Sequence, residues 1–143
     1  MDVGIDTDFL VKVSLRDHPG HQAACEVRDR HLAGQDTFAL APQVLAEFIH
    51  VVTDPRRFEK PLAMPAALRH SRAWWHAAEV RPVFPSPAAV TRFLDDMARF
   101  RLGRKRILDT MLASTYLAAG VTRLITGNPD DYRLFPGLEL ILI

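Results

Sequence analysis

Five carboxylates stand where short apolar runs end or helical patterns begin, the places where parallel α/β proteins put their chemistry. Asp6 directly follows Val3-Gly4-Ile5, and Glu47 lies within two turns of Pro42 on an apolar-striped segment. Asp109 opens a long helical pattern, and Asp130 and Asp131 come just after Arg123-Leu124-Ile125-Thr126. Brought to one edge, such groups resist each other: two carboxylates about 5 Å apart repel by roughly 3 kcal/mol at an effective dielectric near 20. A cluster of this kind either takes up protons or binds cations. Hard divalent ions with oxygen ligands, Mg²⁺ or Mn²⁺, suit it best. With such an ion the chemistry is in-line phosphoryl transfer, in which the metal activates a water and stabilises the leaving oxygen.

Each acid taken alone also has a structural explanation. Asp6 can cap a following helix, with Thr7 and Asp8 as competing caps. Asp109 can complement a helix dipole, and Asp130 and Asp131 can serve a turn after Pro129. Glu47 can be a solvated helix acid, although Ala46, Phe48 and Ile49 around it are apolar. Their arrival at one rim from distant segments is what these separate explanations leave unaccounted for.

Strands must carry them there. Apolar runs at 3–5, 37–41, 123–126 and 138–143 read as strands, with a further candidate at 80–84 weakened by Pro82. Between them, helical patterns are expected over 9–14, 23–32, 44–52, 66–78, 87–100 and 107–119. Pro42 suits a first helical turn, Asp54-Pro55 ends that helix, and Gly34 and Gly120 mark two other helix ends. Strands separated by helices imply right-handed crossovers and a mainly parallel sheet covered on both faces, a three-layer α/β sandwich. Sites in such sheets form beyond the carboxyl ends of the strands.

The bulk properties agree. A chain of 143 residues that is 48% hydrophobic and 24% charged suits one domain with a single core, spanning 1–143. The formal net charge of +1 does not by itself argue for nucleic acid, so the distribution of charge matters more. One cysteine, Cys25, rules out an internal disulfide and a thiolate-rich zinc site, and reads as a small core residue in a reducing cytoplasm. The start lacks the basic and apolar runs of a signal peptide, and no apolar stretch is long enough to span a bilayer.

The same acidic segments resemble the four motifs of PIN domains, in order and over nearly the whole chain. Asp6-Thr7-Asp8-Phe9-Leu10-Val11 is similar to the opening motif and Pro42-Gln43-Val44-Leu45-Ala46-Glu47-Phe48 to the second. Leu108-Asp109-Thr110-Met111-Leu112-Ala113 is similar to the third, and Thr126-Gly127-Asn128-Pro129-Asp130-Asp131-Tyr132 to the fourth. In the fourth motif of that family an Asp or Asn follows the Thr and an Asp precedes an aromatic. Asn128 and Asp131 take those places, with Tyr132 for the usual Phe, so the charge comes from Asp131, Asp130 or both. The run from Phe48 to Phe58, then Pro61-Leu62, and later Phe135-Pro136-Gly137-Leu138, resembles VapC-type toxins of toxin–antitoxin pairs.

The resemblance implies a Mg²⁺- or Mn²⁺-dependent endoribonuclease that forms no covalent intermediate. Asp6, Glu47, Asp109 and Asp131 would hold the metal, with Thr126, Asn128 and Asp130 in support. It also implies an RNA substrate, a homodimer, and a cognate antitoxin whose tail enters the active-site groove.

Arg104, Lys105 and Arg106 lie just before Asp109, and Arg56 and Arg57 downstream of Glu47; both groups are candidates for the RNA backbone or for solvated loops. Of the adjacent Trp74 and Trp75, one is expected in the core and the other at a dimer or antitoxin contact. No histidine pair has zincin spacing. Two rivals stand beside the nuclease. A haloacid-dehalogenase-type phosphatase would use Asp6 and Asp8, but Leu10 stands where it expects Thr or Val. A catalytically silent PIN domain that binds RNA or protein is the other.

Overall fold

The chain alternates between strand and helix because its apolar runs are short and its helix signals are strong. In the computed structural model, which describes residues 1–143, the order is β1 (Asp2–Ile5), α1 (Thr7–Ser14), α2 (His21–Ala33), β2 (Thr37–Leu40), α3 (Pro42–Val52) and α4 (Met64–Trp75). Then come β3 (Val80–Pro82), α5 (Pro87–Arg99), α6 (Ile107–Ala118), β4 (Arg123–Thr126) and β5 (Glu139–Leu142). Single 3-10 turns occupy Arg104–Arg106 and Pro129–Asp131. The strands lie in the order β3-β2-β1-β4-β5, and every neighbouring pair is parallel. The expected mainly parallel α/β sheet is thus wholly parallel.

Burial explains why the inner strands show no apolar–polar alternation. Val3, Gly4 and Ile5 of β1 are all buried, as are Phe38, Ala39 and Leu40 of β2 and Leu124, Ile125 and Thr126 of β4. Helices cover both faces, as a parallel sheet requires. The chain steps from β1 outward to β2 and β3, then returns to the other side of β1 for β4 and β5. Right-handed crossovers in opposite directions place helices on opposite faces. Accordingly α1 packs on α2 and α3, and α3 on α4, while α5 packs on α6. The reversal between β1 and β4 opens a crevice at their carboxyl ends.

Local signals set the boundaries. Asp6 is the N-cap of α1, Pro42 is the first residue of α3, and the Ser86 hydroxyl accepts the Ala89 N–H at the start of α5. Gly120, with φ at +79°, follows the C-cap of α6. Three expectations need correction. Helix α4 starts at Met64, because Pro65 is tolerated in a first turn, and it ends at Trp75. Strand β3 is short and includes Pro82, which the sheet accepts because β3 is an edge and needs donors on one side only. Cys25 is half-buried on α2 beside the His21 ring and is not part of the core.

Trp74 meets Phe9 and Phe38 edge-on, with ring centroids 6.3 and 6.0 Å away. Trp75 faces the other way, onto Phe84, which is 61% exposed. No helix is long and apolar enough to cross a membrane.

The amino ends of the strands are held by charge pairs. Asp36 accepts from His31 Nδ1 at 2.7 Å and faces Arg123 at 3.1 Å and the Met1 ammonium at 3.4 Å. His31, then Arg123, hold its carboxyl below the usual range despite opposing desolvation. Arg81 pairs with Asp2 at 2.6 Å. Here Asp2 and Asp36 each have a cation.

At the other end of β1, Tyr116 joins three elements. From α6 its buried hydroxyl donates to Ile5 O at 2.6 Å and accepts the Ala41 N–H at 3.3 Å. Burial pushes its pKa upward, so it stays a donor. These bonds fix the last residue of β1 and the cap of α3, and so the roots of Asp6 and Glu47. Tyr116→Phe removes both bonds and is expected to cost about 1–3 kcal/mol, read as a lower urea midpoint with an unchanged m-value.

Candidate active site

All the acids expected at the rim come from segments that end or begin at the carboxyl edge of the sheet. Asp6 leaves β1, Glu47 sits on the second turn of α3, and Asp109 lies in the first turn of α6. Asp131 closes the turn after β4. The Gln43 amide donates to Leu108 O at 2.9 Å and so ties the start of α3 to that of α6. That bond sets Glu47 and Asp109 relative to each other.

Asp6 is only 3% exposed. One carboxylate oxygen accepts the Phe9 N–H at 2.9 Å, and the Thr126 hydroxyl also hydrogen-bonds to this carboxyl. Thr126 in turn accepts the Asn128 N–H at 2.9 Å. Burial raises the Asp6 pKa to about 7, against those two hydrogen bonds and with help from the charge of Asp8. Asp6 is therefore both a helix cap and a carboxylate short of positive charge.

Asp109 shows the same strain. Burial, followed by the charges of Asp131 and Glu47, lifts its pKa to about 6, while the Tyr132 hydroxyl donates to it at 3.3 Å. Burial and then the charges of Asp6 and Asp109 push Tyr132 upward too, so it remains a protonated donor. Glu47 accepts the Thr7 hydroxyl at 2.8 Å. Asp131 and Glu47 act on Asp109, and Asp6, Asp109 and Glu47 all act on the Tyr132 hydroxyl, so the four acids surround one tyrosine.

The choice left open in the fourth motif is narrowed by geometry. Asp130 is exposed and pairs with Arg133, turned outward, whereas Asp131 acts on Asp109. Asn128 is exposed and contributes its backbone N–H to Thr126. Arg106 reaches the site: its guanidinium donates to Asp131 O and its charge acts on Asp109. Arg104 and Lys105 are exposed beside it. Arg56 and Arg57 differ, since both pair with Asp54 beyond the far end of α3.

Sequence reading missed several members of this neighbourhood. Thr7 appeared only as a competing cap, yet it holds Glu47. Gln43 and the hydroxyl of Tyr132 gave no local signal, because their partners are 65 and 23 residues away. Asp8 and Lys12, paired at 2.8 Å, had one readable signal, the four-residue spacing of opposite charges on a helix.

As the side chains stand, no three acidic, histidine or cysteine groups converge closely enough to hold a metal ion. Each of these carboxyl groups is held by a protein donor of its own: Glu47 by Thr7, Asp109 by Tyr132 and Asp6 by the Phe9 N–H. The all-oxygen donor set of Asp6, Glu47, Asp109 and Asp131 fits the chemistry of a hard divalent ion.

No family model matches the chain. Ribonuclease VapC24 of Mycobacterium tuberculosis is 29% identical over 139 residues, covering 93% of this chain and 90% of that protein. Among solved structures, VapBC2 of Rickettsia felis, bound to a promoter DNA fragment, aligns over 100% of this chain and 99% of its own, with TM-score 0.68 and 18% identity. VapC20 of Mycobacterium tuberculosis, described as a sarcin-ricin-loop-cleaving toxin, aligns over 85% of this chain and 86% of its own, with TM-score 0.64 and 15% identity. The chain is thus similar over nearly its whole length to a VapC-type ribonuclease, and it shares the fold of VapC-type proteins of known structure.

Proposed function

We propose that this chain is an endoribonuclease, the toxin of a toxin–antitoxin pair, and that it hydrolyses RNA phosphodiester bonds with Mg²⁺ or Mn²⁺. The observation that carries this reading is the joint rise in pKa of Asp6 and Asp109 at the rim where Glu47 and Asp131 also act. Buried carboxyl groups with so little positive charge beside them are costly to keep ionised, and a cation site would offset that cost. The similar protein VapC24 is named a ribonuclease, which agrees.

In this reading Asp6, Glu47, Asp109 and Asp131 hold the metal. The ion supplies Lewis acidity: it makes water easier to deprotonate and offsets charge gathering on phosphate oxygens. The protein supplies the arrangement. Thr126 and Phe9 orient Asp6, Thr7 holds Glu47 until it is needed, and Tyr132 keeps Asp109 in place. Arg104, Lys105 and Arg106 receive the RNA backbone beside the acids, and Arg56 and Arg57 lie farther out along its path.

The similar structures include VapBC complexes, and we assign this chain a protein antitoxin, a homodimeric state and a cytoplasmic setting. Phe84, Leu94 and Leu108 expose apolar surface for such contacts.

Three outcomes test the reading. Asp6→Asn and Asp109→Asn should each lower Mn²⁺-dependent RNA cleavage by more than about 100-fold, since losing an outer-shell partner alone costs 10–100-fold. Asp6→Asn should stay folded because Asn also caps helices well, and Asp109→Asn because it removes a charge that Asp131 and Glu47 repel. Cleavage equal in wild type and Asp6→Asn, or absent from both, would favour the silent binding module.

The second outcome concerns pH. A carboxyl whose folded pKa lies above its unfolded value binds protons more tightly when folded, so metal-free stability falls as pH rises through that interval. For Asp6 the interval runs from 3.8 to about 7. Melting temperatures without metal should therefore drop for wild type relative to Asp6→Asn between those values, and Mn²⁺ should reverse the drop near neutral pH. Third, replacing Arg104 and Lys105 by Gln should weaken single-stranded RNA binding and reduce its salt slope by about 1.4, at roughly 0.7 for each phosphate that is no longer neutralised.

A further inference from the structure

Lys12, in the last turn of α1, reaches back toward the acids at the start of that helix. Its ammonium pairs with Asp8 at 2.8 Å, and its side chain is only 17% exposed. Two backbone segments leave room for it. A methyl group at Gly20 would lie 2.9 Å from Lys12 Cδ and 3.0 Å from Cε. One at Gly127, just past β4, would lie 2.7 Å from Nζ and overlap the Asp8 carboxylate. Asp6, at the start of the same helix, feels both Asp8 and Lys12. A lysine stem held under one loop, with its head under another, has lost most of its conformational freedom. Such a side chain is a fixed charge, unlike a solvated surface lysine.

We propose that Lys12 is a resident counter-ion that takes the place of a second metal, so that the RNA-free protein binds a single divalent cation. The inference rests on the metal-binding reading above and concerns how many ions that site accepts. Lys12 cancels Asp8 in place, leaving Asp6, Glu47, Asp109 and Asp131. Arg106 offsets one of these charges and one divalent ion offsets two. The remaining position beside Gly127, where Asp8 would offer oxygens to a second ion, already holds an ammonium 2.8 Å from that carboxylate. Asn128, the next residue, is neutral and adds no charge to attract another cation.

The test counts Mn²⁺ bound per chain in the full-length protein without RNA, from the electron paramagnetic resonance signal of free Mn²⁺ across a titration. Wild type should bind one. Lys12→Met keeps the stem beneath Gly20 and removes the charge, and should bind two, the second more weakly. Lys12→Arg should return to one. Lys12→Met combined with Asp8→Asn should also bind one, because the freed carboxylate is gone. Should the methionine variant fail to fold, Lys12→Gln gives the same readout. Two ions in wild type, or one in folded Lys12→Met and Lys12→Gln, overturns the role of Lys12 and leaves the metal site standing. No Mn²⁺ bound by any variant overturns both.

Discussion

A carboxylate almost withdrawn from water, at the end of the central strand, is the constraint around which this protein is arranged. Asp6 cannot move away from its position, because it caps α1 and follows the residue that Tyr116 fixes. Its charge is opposed by burial and by the charge of Asp8. The rest of the rim is a partial answer to that problem: hydroxyls from Thr126, Thr7 and Tyr132 face carboxyl groups where cations would be more effective. Helices α1, α3 and α6 all begin at this edge, and their N-terminal dipoles add some positive potential. Neutral donors and dipoles lower the repulsion without removing it.

The two ends of the sheet show how differently one chain can treat its acids. Asp2 and Asp36 meet Arg81, His31 and Arg123 and behave as structural ion pairs. Asp6, Glu47 and Asp109 meet neutral donors, the Phe9 N–H and the hydroxyls of Thr7 and Tyr132. An acid that serves only the fold gains from a partner cation, so the unpaired end marks where folding requirements gave way to something else.

Much of this was legible in the sequence where the cause is local. Val3-Gly4-Ile5 before Asp6, Pro42 before Glu47, and Gly120 after the last long helix each follow from neighbouring residues. The order of the four motifs also made the rim readable, because parallel topology sends each strand's carboxyl end to the same edge. Contacts spanning the chain were not legible. Tyr116 reaches Ile5 across 111 positions and Tyr132 reaches Asp109 across 23, and no periodicity reports either. Pro82 misled because its cost depends on whether the strand is an edge, which is a property of the sheet. Arg56 and Arg57 looked like neighbours of Glu47 along the chain, yet a helix carries them past it.

The double duty of Asp6 has an evolutionary side. Aspartate and asparagine codons differ by a single base, and asparagine fills the capping position equally well. A lineage that no longer needed the activity could therefore drift to a neutral rim without losing its architecture, and would even shed an electrostatic burden. Selection for folding alone would therefore not distinguish Asp from Asn at this cap.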